Sequence, residues 1–468
     1  MALSYRVPPE KAPRMTVITD RKAFGKAVPI LATDQKRLPG LLAKLAPAQA
    51  RWAEVSGFEA APHTHLAIPG AKGEIAMVIA GVRDAGDPWA LASLPLKLPR
   101  GRYALGKGPV AIAPEKAAFA WDLGAYQFTR YRKPRRKGAD LQLEPSAAVS
   151  GALQLAEATR LVRDLVNTPA EEMGPEELAD VAREQAERFG GEFDEWVGEE
   201  LLAQNFPAIH AVGRAAARAP RLLEIHWGNP RHPRIAVVGK GVCFDSGGLD
   251  IKGAEGMRLM KKDMGGAAHA IALARLVMER RLPVRLHMLV PAVENAIAGN
   301  AYRPGDVVRT RKGLTVEIGN TDAEGRVVLA DALACAAEHK PRAIFDFATL
   351  TGAARVALGP ELPAMYANDD KLAAKLLAKS EALADPLWRM PLWDGYRRLF
   401  ESEIADFNNS GKSGHAGSIV AALFLENFVP EDIPWVHLDV FAWNDISRPG
   451  RPAGGEAQGL RAVLASIS

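Results

Sequence analysis

The run Arg234-Ile235-Ala236-Val237-Val238-Gly239-Lys240-Gly241-Val242-Cys243-Phe244-Asp245-Ser246-Gly247-Gly248, continued by Leu249, Asp250, Ile251 and Lys252, sets the fold of this chain. Residues 234–238 form a short apolar run stopped by glycine, the pattern of a buried strand. The glycines that follow permit tight backbone close to a ligand. Lys240, Asp245 and Lys252 are therefore expected on loops at a strand's end, where open α/β sheets bind ligands. Next comes Met260-Lys261-Lys262-Asp263-Met264-Gly265-Gly266-Ala267-Ala268, expected to open a helix that runs to about residue 281. Asp263 is expected in its first turn, where the helix dipole favours an acid and capping alone would explain it.

Outward from this run, strands and helices alternate. Strands are expected over residues 222–227, 284–290, 343–348 and 435–440, and helices over 176–189, 328–339 and 418–428. That rhythm implies an α/β fold with a central mixed sheet flanked by helices. Residues 147–167 read as a long helix halted before Pro169. The part before it is expected to be a smaller α/β domain, with strands at 75–82, after the Gly70-Ala71-Lys72-Gly73 turn, and at 110–113. The expected division is a domain over residues 1–140, a linker helix region over 141–167 and a larger domain over 168–468.

The segment Asn320-Thr321-Asp322-Ala323-Glu324-Gly325-Arg326 carries the densest chemistry. Read as extended chain, it puts Asp322, Glu324 and Arg326 on one side. Two carboxylates so close repel each other unless a cation lies between them, and one arginine is a poor neutraliser for both. If Asp245 and Asp263 join them, about four negative charges enter one pocket, a load that two dications would balance. Oxygen-dominated ligation suits manganese, zinc or magnesium.

Lys240, Asp245, Lys252, Asp263 and the Asp322-Glu324-Arg326 run resemble, in order and spacing, the motif set of the leucyl aminopeptidases, the M17 metallopeptidase family. The likeness covers roughly residues 150–468. It includes Arg163-Asp164-Leu165-Val166-Asn167-Thr168-Pro169, Asn300-Ala301-Tyr302-Arg303-Pro304-Gly305-Asp306, Thr349-Leu350-Thr351-Gly352-Ala353 and Trp435-Val436-His437-Leu438-Asp439. The resemblance implies that residues 168–468 are a catalytic metallopeptidase domain. It implies a two-metal aminopeptidase that hydrolyses the N-terminal residue from short peptides and amino-acid amides through a metal-bridging hydroxide. Asp245 and Glu324 would bridge the metals, Lys240 and Asp263 would complete the tighter site, and Asp322 the more exchangeable one. Lys252 would stabilise the developing oxyanion, and Arg326 would hold a bicarbonate ion that shuttles the proton. Met260, Thr349, Leu350 and Gly352 would contact substrate, and the chain would assemble as a homo-hexamer. The segment Gly454-Gly455-Glu456-Ala457-Gln458-Gly459 departs from the family pattern beside the expected pocket.

Composition sets the remaining bounds. Hydrophobic residues are 48% and charged ones 24% of 468, which describes a globular protein and excludes wholesale disorder. No apolar run approaches the roughly 18 residues of a membrane span, so no membrane partner is expected. Met1-Ala2-Leu3-Ser4-Tyr5-Arg6 lacks the apolar core of a secretory signal. Two cysteines, Cys243 and Cys335, imply a reducing compartment, and a cytoplasmic location is expected. Net charge is +4, but residues 1–140 carry 23 Lys and Arg against 11 Asp and Glu, a surplus of +12 that leaves −8 for the rest. Much of the surplus lies in Arg130-Tyr131-Arg132-Lys133-Pro134-Arg135-Arg136-Lys137, read as a solvated edge before the linker. The alternative function is a nucleic-acid-binding protein with secondary peptidase activity, for which a salt-dependent DNA shift would speak. Gly411-Lys412-Ser413 lacks the upstream glycine of a phosphate-binding loop and reads as a loop. His63 and His65 have no third ligand near in sequence, and His437 and Asp439 read as structural. There is no H-E-x-x-H helix and no G-x-S-x-G elbow.

Overall fold

The computed structural model describes residues 16–467, so the reading of Met1 to Arg6 lies outside the described residues. The chain divides into two compact units. One runs to Arg160 and takes in Ile446–Ala453, and the other comprises Leu161–Asp445 and the chain from Gly454 onward. The division falls within the helix Ala147–Asn167.

Among the described residues, the first unit holds a six-stranded sheet in the order Val17–Ile18, Asp140–Gln142, Arg102–Leu105, Val28–Thr33, Ile75–Gly81, His65–Pro69. All neighbours are parallel except the last pair. Its core gathers Ile30, Val78, Tyr103, Trp121 and Leu141. The indole of Trp121 donates to the Ala139 carbonyl at 3.0 Å, so this large buried ring leaves no polar atom unpaired. The strand expected at 110–113 is absent. The chain there leads into the helix Pro114–Gly124, with proline at its first position, and the strand lies earlier, at Arg102–Leu105. His63 sits in a left-handed turn before the strand that carries His65, so the two do not share a strand face.

The second unit is built on a nine-stranded mixed sheet among the described residues. Its parallel centre runs Trp435–Asp439, Ala343–Ala348, Arg234–Gly239, Arg285–Asn295. Antiparallel strands Ala364–Ala367 and Arg221–Trp227 flank it on the two sides. The pleat separates two apolar faces. Ala236 and Val238 pack with Val328, Leu329 and Phe424 from the helices Glu324–Glu338 and Gly417–Glu426. Gly239, on the alternate face, lies so close to the helix Gly265–Glu279 that a Cβ would sit 2.6 Å from the Gly266 carbonyl oxygen. Helices therefore cover both sides of a sheet whose central strands are buried from Ile235 to Gly239 and from Ala343 to Ala348.

Phe424 is fully buried, with the rings of Phe428 and Phe400 at 5.4 and 6.3 Å. Phe424→Ala is expected to cost about 3–5 kcal/mol by leaving a cavity among aromatic neighbours. Urea unfolding of this variant should show a clear drop in midpoint, and an unmoved midpoint would mean that the ring contributes no packing.

Three local expectations are corrected. Asn320–Arg326 is not extended: Thr321–Ala323 is a 3-10 turn and Glu324 begins an α-helix. The Asn320 side chain accepts from the Asp322 N–H at 2.8 Å and caps this start, and a glutamate at a helix N-terminus suits the dipole. Asp263 precedes its helix, closing the 3-10 turn Met260–Lys262, and the helix begins at Gly265. Asp245 is not on a loop. It ends the strand Gly241–Asp245, which pairs in parallel with the far half of Arg285–Asn295. Among the described residues, no helix is long and apolar enough to cross a membrane.

Candidate metal centre and active site

The carboxyl ends of the parallel strands converge on one cluster. Lys240 follows the strand Arg234–Gly239, and its backbone is clamped from both sides. Its N–H donates to the Phe347 carbonyl at 2.9 Å and its carbonyl accepts from Ala267 at 2.8 Å. The Lys240 Nζ lies 2.6 Å from Asp263 Oδ2 and 3.0 Å from Glu324 Oε1, and donates to the Thr349 carbonyl at 3.1 Å. The Lys252 Nζ lies 2.8 Å from Asp245 Oδ2 and also pairs with Asp322. One ligand atom each from Asp245, Asp322 and Glu324 falls within 4.8 Å of the other two. All seven residues of the expected charged set are in this neighbourhood except that Arg326 makes no ion pair within it.

Burial grades across the cluster. Lys240, Asp245, Asp263 and Glu324 are buried, whereas the Asp322 side chain is 31% exposed and Lys252 15%. The charges are out of balance, four carboxylates against two ammonium groups. Burial and the Asp245 charge push the Glu324 carboxyl up to about 8, and burial followed by Asp245 raises Asp322. Burial alone would lower both lysines, but the surrounding carboxylates outweigh it and hold Lys240 and Lys252 above the usual lysine range. Asp263, opposed by burial, is drawn down by Lys240 and Lys262. Glu324 Oε2 is buried and has no hydrogen-bond partner. An orphaned buried carboxylate oxygen in an anion-rich site is what a hard or borderline dication would satisfy. These residues fit a metal centre.

Supporting side chains fix the carboxylates. Asn295 Nδ2 and the Gly247 N–H donate to Asp245 Oδ1 at 2.8 and 2.9 Å. The Thr349 hydroxyl donates to Asp263 Oδ1 at 2.8 Å. Buried Thr321 donates to the Gly247 carbonyl, and Tyr302 donates to the Thr321 carbonyl, tying the acidic turn to the Gly247-Gly248 loop. Asn409 takes the N–H groups of Gly319 and Asn320 and donates to the Asn320 carbonyl at 2.7 Å. Asp439 accepts from the backbone of Leu350 and Thr351 and from the Thr351 hydroxyl, so it shapes the Thr349–Gly352 segment. His437 instead pairs with Asp346 inside the sheet at 2.5 Å. The spacing of the sequence does not reveal Asn295, Thr321, Asn409 or Asp439 in these roles.

Beside the cluster lies a cavity of about 240 Å³ lined by Asp322, Arg326, Leu350, Gly352, Ser413 and His415 among others. Leu350 and Gly352 thus reach it, while Met260 and Thr349 do not. Gly411 and Ser413, from the loop set aside above, are part of its wall. The divergent residues 454–459 are outside that lining. There Glu456 pairs with buried Arg163 and Gln458 accepts from the backbone of Phe441 and Ala442. Arg326 is buried with its Nε unpartnered. Burial lowers its pKa to about 10, against the pull of Glu324.

Gly325 lies against Lys240, where a Cβ would sit 2.5 Å from Cε and 2.8 Å from Nζ. Gly325→Ala is expected to push the lysine tail aside and cut turnover about a hundredfold, the usual cost of a 1 Å misplacement. Steady-state kinetics on a folded variant checks this, and wild-type rates would show that Lys240 needs no fixed position.

Residues 160–464 match the model of the cytosol aminopeptidase family catalytic domain, and residues 28–144 that of the M17 aminopeptidase N-terminal domain. The probable cytosol aminopeptidase of Syntrophotalea carbinolica is 42% identical over 73% of this chain and 72% of its own. That of Leifsonia xyli is 36% identical over 99% of this chain and 96% of its own. The cytosol aminopeptidase from Coxiella burnetii superposes with a TM-score of 0.93 at 48% identity, covering 97% of this chain and 98% of that one. The bottromycin maturation enzyme BotP, solved in complex with Mn, gives 0.84 at 33% identity over 95% and 99%. The chain belongs to the cytosol aminopeptidase family, M17, and is a metallo-aminopeptidase.

Proposed function

We propose that this enzyme removes the first residue from short peptides and amino-acid amides with a free N-terminus, using two divalent ions held by Lys240, Asp245, Asp263, Asp322 and Glu324. The observation that carries the reading is the charge imbalance of the buried cluster, with Glu324 Oε2 left unpartnered. Asp245 and Glu324 would be shared between the ions. Lys240 and Asp263 would complete the inner position and the more exposed Asp322 the outer, exchangeable one. Manganese or zinc suits this donor set best, with magnesium the third candidate; Mn is the metal in the BotP complex. When bound, the ions supply Lewis acidity and lower the pKa of water toward about 7. Lys240 can ligate only as a neutral amine, and burial beside a dication favours that form.

The chain's own groups do the rest. Lys252, charged and at the open side of the cluster, donates to the scissile carbonyl oxygen as negative charge develops there. Arg326 stays protonated at neutral pH and is no base; its unpartnered Nε would hold bicarbonate, which supplies a weak base at that place. The backbone of the Thr349–Gly352 segment, which Asp439 holds at Leu350 and Thr351, orients the peptide; Met260 and Thr349 would meet the substrate outside the cavity that Leu350 and Gly352 line. A homo-hexamer in the cytoplasm completes the reading, and light scattering checks the assembly.

Leu-p-nitroanilide should be cleaved with manganese or zinc, while its N-acetyl derivative is not and chelator abolishes turnover. Equal cleavage of the acetylated substrate would refute the exopeptidase reading.

A further inference from the structure

Glu224 and His226 lie two residues apart on the strand Arg221–Trp227, so their side chains share a face. On the antiparallel neighbour Arg285–Asn295, His287 stands directly opposite His226. Pleat and register thus bring one carboxylate and two imidazoles together. Eight residues of extended strand separate His287 from Asn295, roughly 25 Å, so this group is remote from the carboxylate cluster that Asn295 touches.

The contacts are close. His287 Nε2 is 2.6 Å from Glu224 Oε2, and His226 Nε2 is 3.5 Å from the same oxygen. The two rings stack with centroids 4.4 Å apart. One ligand atom of each residue lies within 4.8 Å of the other two, and among the described residues the only other such group is Asp245, Asp322 and Glu324. A proton between Glu224 and His287 satisfies one contact and leaves His226 facing the same oxygen. Protonating both stacked rings would set two like charges side by side, which is unfavourable. A dication satisfies all three donors at once.

We infer that Glu224, His226 and His287 bind one divalent transition ion of the zinc class, separate from the catalytic centre. Two imidazoles and a carboxylate are a donor set that zinc accepts with coordination positions left open. The Trp196 indole donates to Glu224 Oε1 at 3.2 Å, fixing the carboxylate and leaving Oε2 toward the histidines. Glu224 and His287 are buried, while a third of the His226 side chain is exposed and offers the entry path. The bound ion would cross-link two neighbouring strands of the large sheet.

Metal content decides the matter independently of activity. Full-length wild type and His226→Ala are equilibrated with excess zinc, passed through gel filtration and measured for metal per chain. The variant should hold one equivalent less, whatever the catalytic centre retains, with unchanged turnover. Cobalt-loaded wild type should show ligand-field bands that the variant lacks, and Trp196→Phe should weaken this ion about tenfold or more. Circular dichroism and melting of the metal-free proteins confirm folding, with His226→Gln as the substitute should alanine destabilise. Equal metal per chain and identical cobalt spectra in wild type and a folded variant would overturn the assignment.

Discussion

Glu324→Gln is expected to slow turnover of Leu-p-nitroanilide on the order of two to three decades, the scale of losing one preorganised charged group. The substitution keeps the shape of a fully buried side chain and removes only its charge. Glu324 stands where the imbalance of the cluster is greatest. It pairs with Lys240 at 3.0 Å through one oxygen, has no hydrogen-bond partner on the other, and is held up near 8 by burial and Asp245. An amide in its place cannot bridge two cations, so metal content should fall together with rate. The fold should survive, because the amide keeps the volume of the side chain and costs less to bury than a carboxylate. Wild-type turnover at saturating manganese by a folded Glu324→Gln protein would end the two-ion proposal.

How far the sequence discloses this site depends on the range of the contacts involved. Arg234–Gly239, Ala343–Ala348 and the helix Ala147–Asn167 are legible because apolar runs and a following proline are local signals. The start of the helix at Glu324 is not, since D-x-E-x-R fits an alternating strand equally well and the Asn320 cap acts on the 3-10 turn that leads into the helix. Arg102–Leu105 has no alternation to mark it, and its place in the sheet comes from parallel partners at residues 28–30 and 140–142. The charged residues announce themselves through unusual density. Their supports do not: Asn295, Asn409 and Asp439 act across long stretches of chain, and an asparagine or aspartate at a strand end has no distinguishing local pattern. Glu224, His226 and His287 were hidden for the same reason, because only the strand register sets them face to face.

Lys252→Met should lower kcat by about 3–4 kcal/mol, two to three decades, with KM little changed. Lys252 is placed to separate this effect from metal loss. Its ammonium reaches Asp245 Oδ2 at 2.8 Å and Asp322 on the exposed side of the cluster. Carboxylates on both sides, outweighing burial, keep it protonated well above neutral pH. Methionine preserves the length of the stem and removes the charge. Asp245 and Asp322 then lose a cationic partner, so affinity for dications should rise, opposite in sign to the change in Glu324→Gln. A fall in kcat with metal content at or above wild type is therefore the signature of a group that acts on the substrate's oxyanion. Lys252→Arg, which keeps the charge but spreads it over a planar fork, should recover part of the rate. If Lys252→Met lost its metal, or kept its full kcat, Lys252 would be a counter-ion of the cluster and not a donor to the reacting carbonyl.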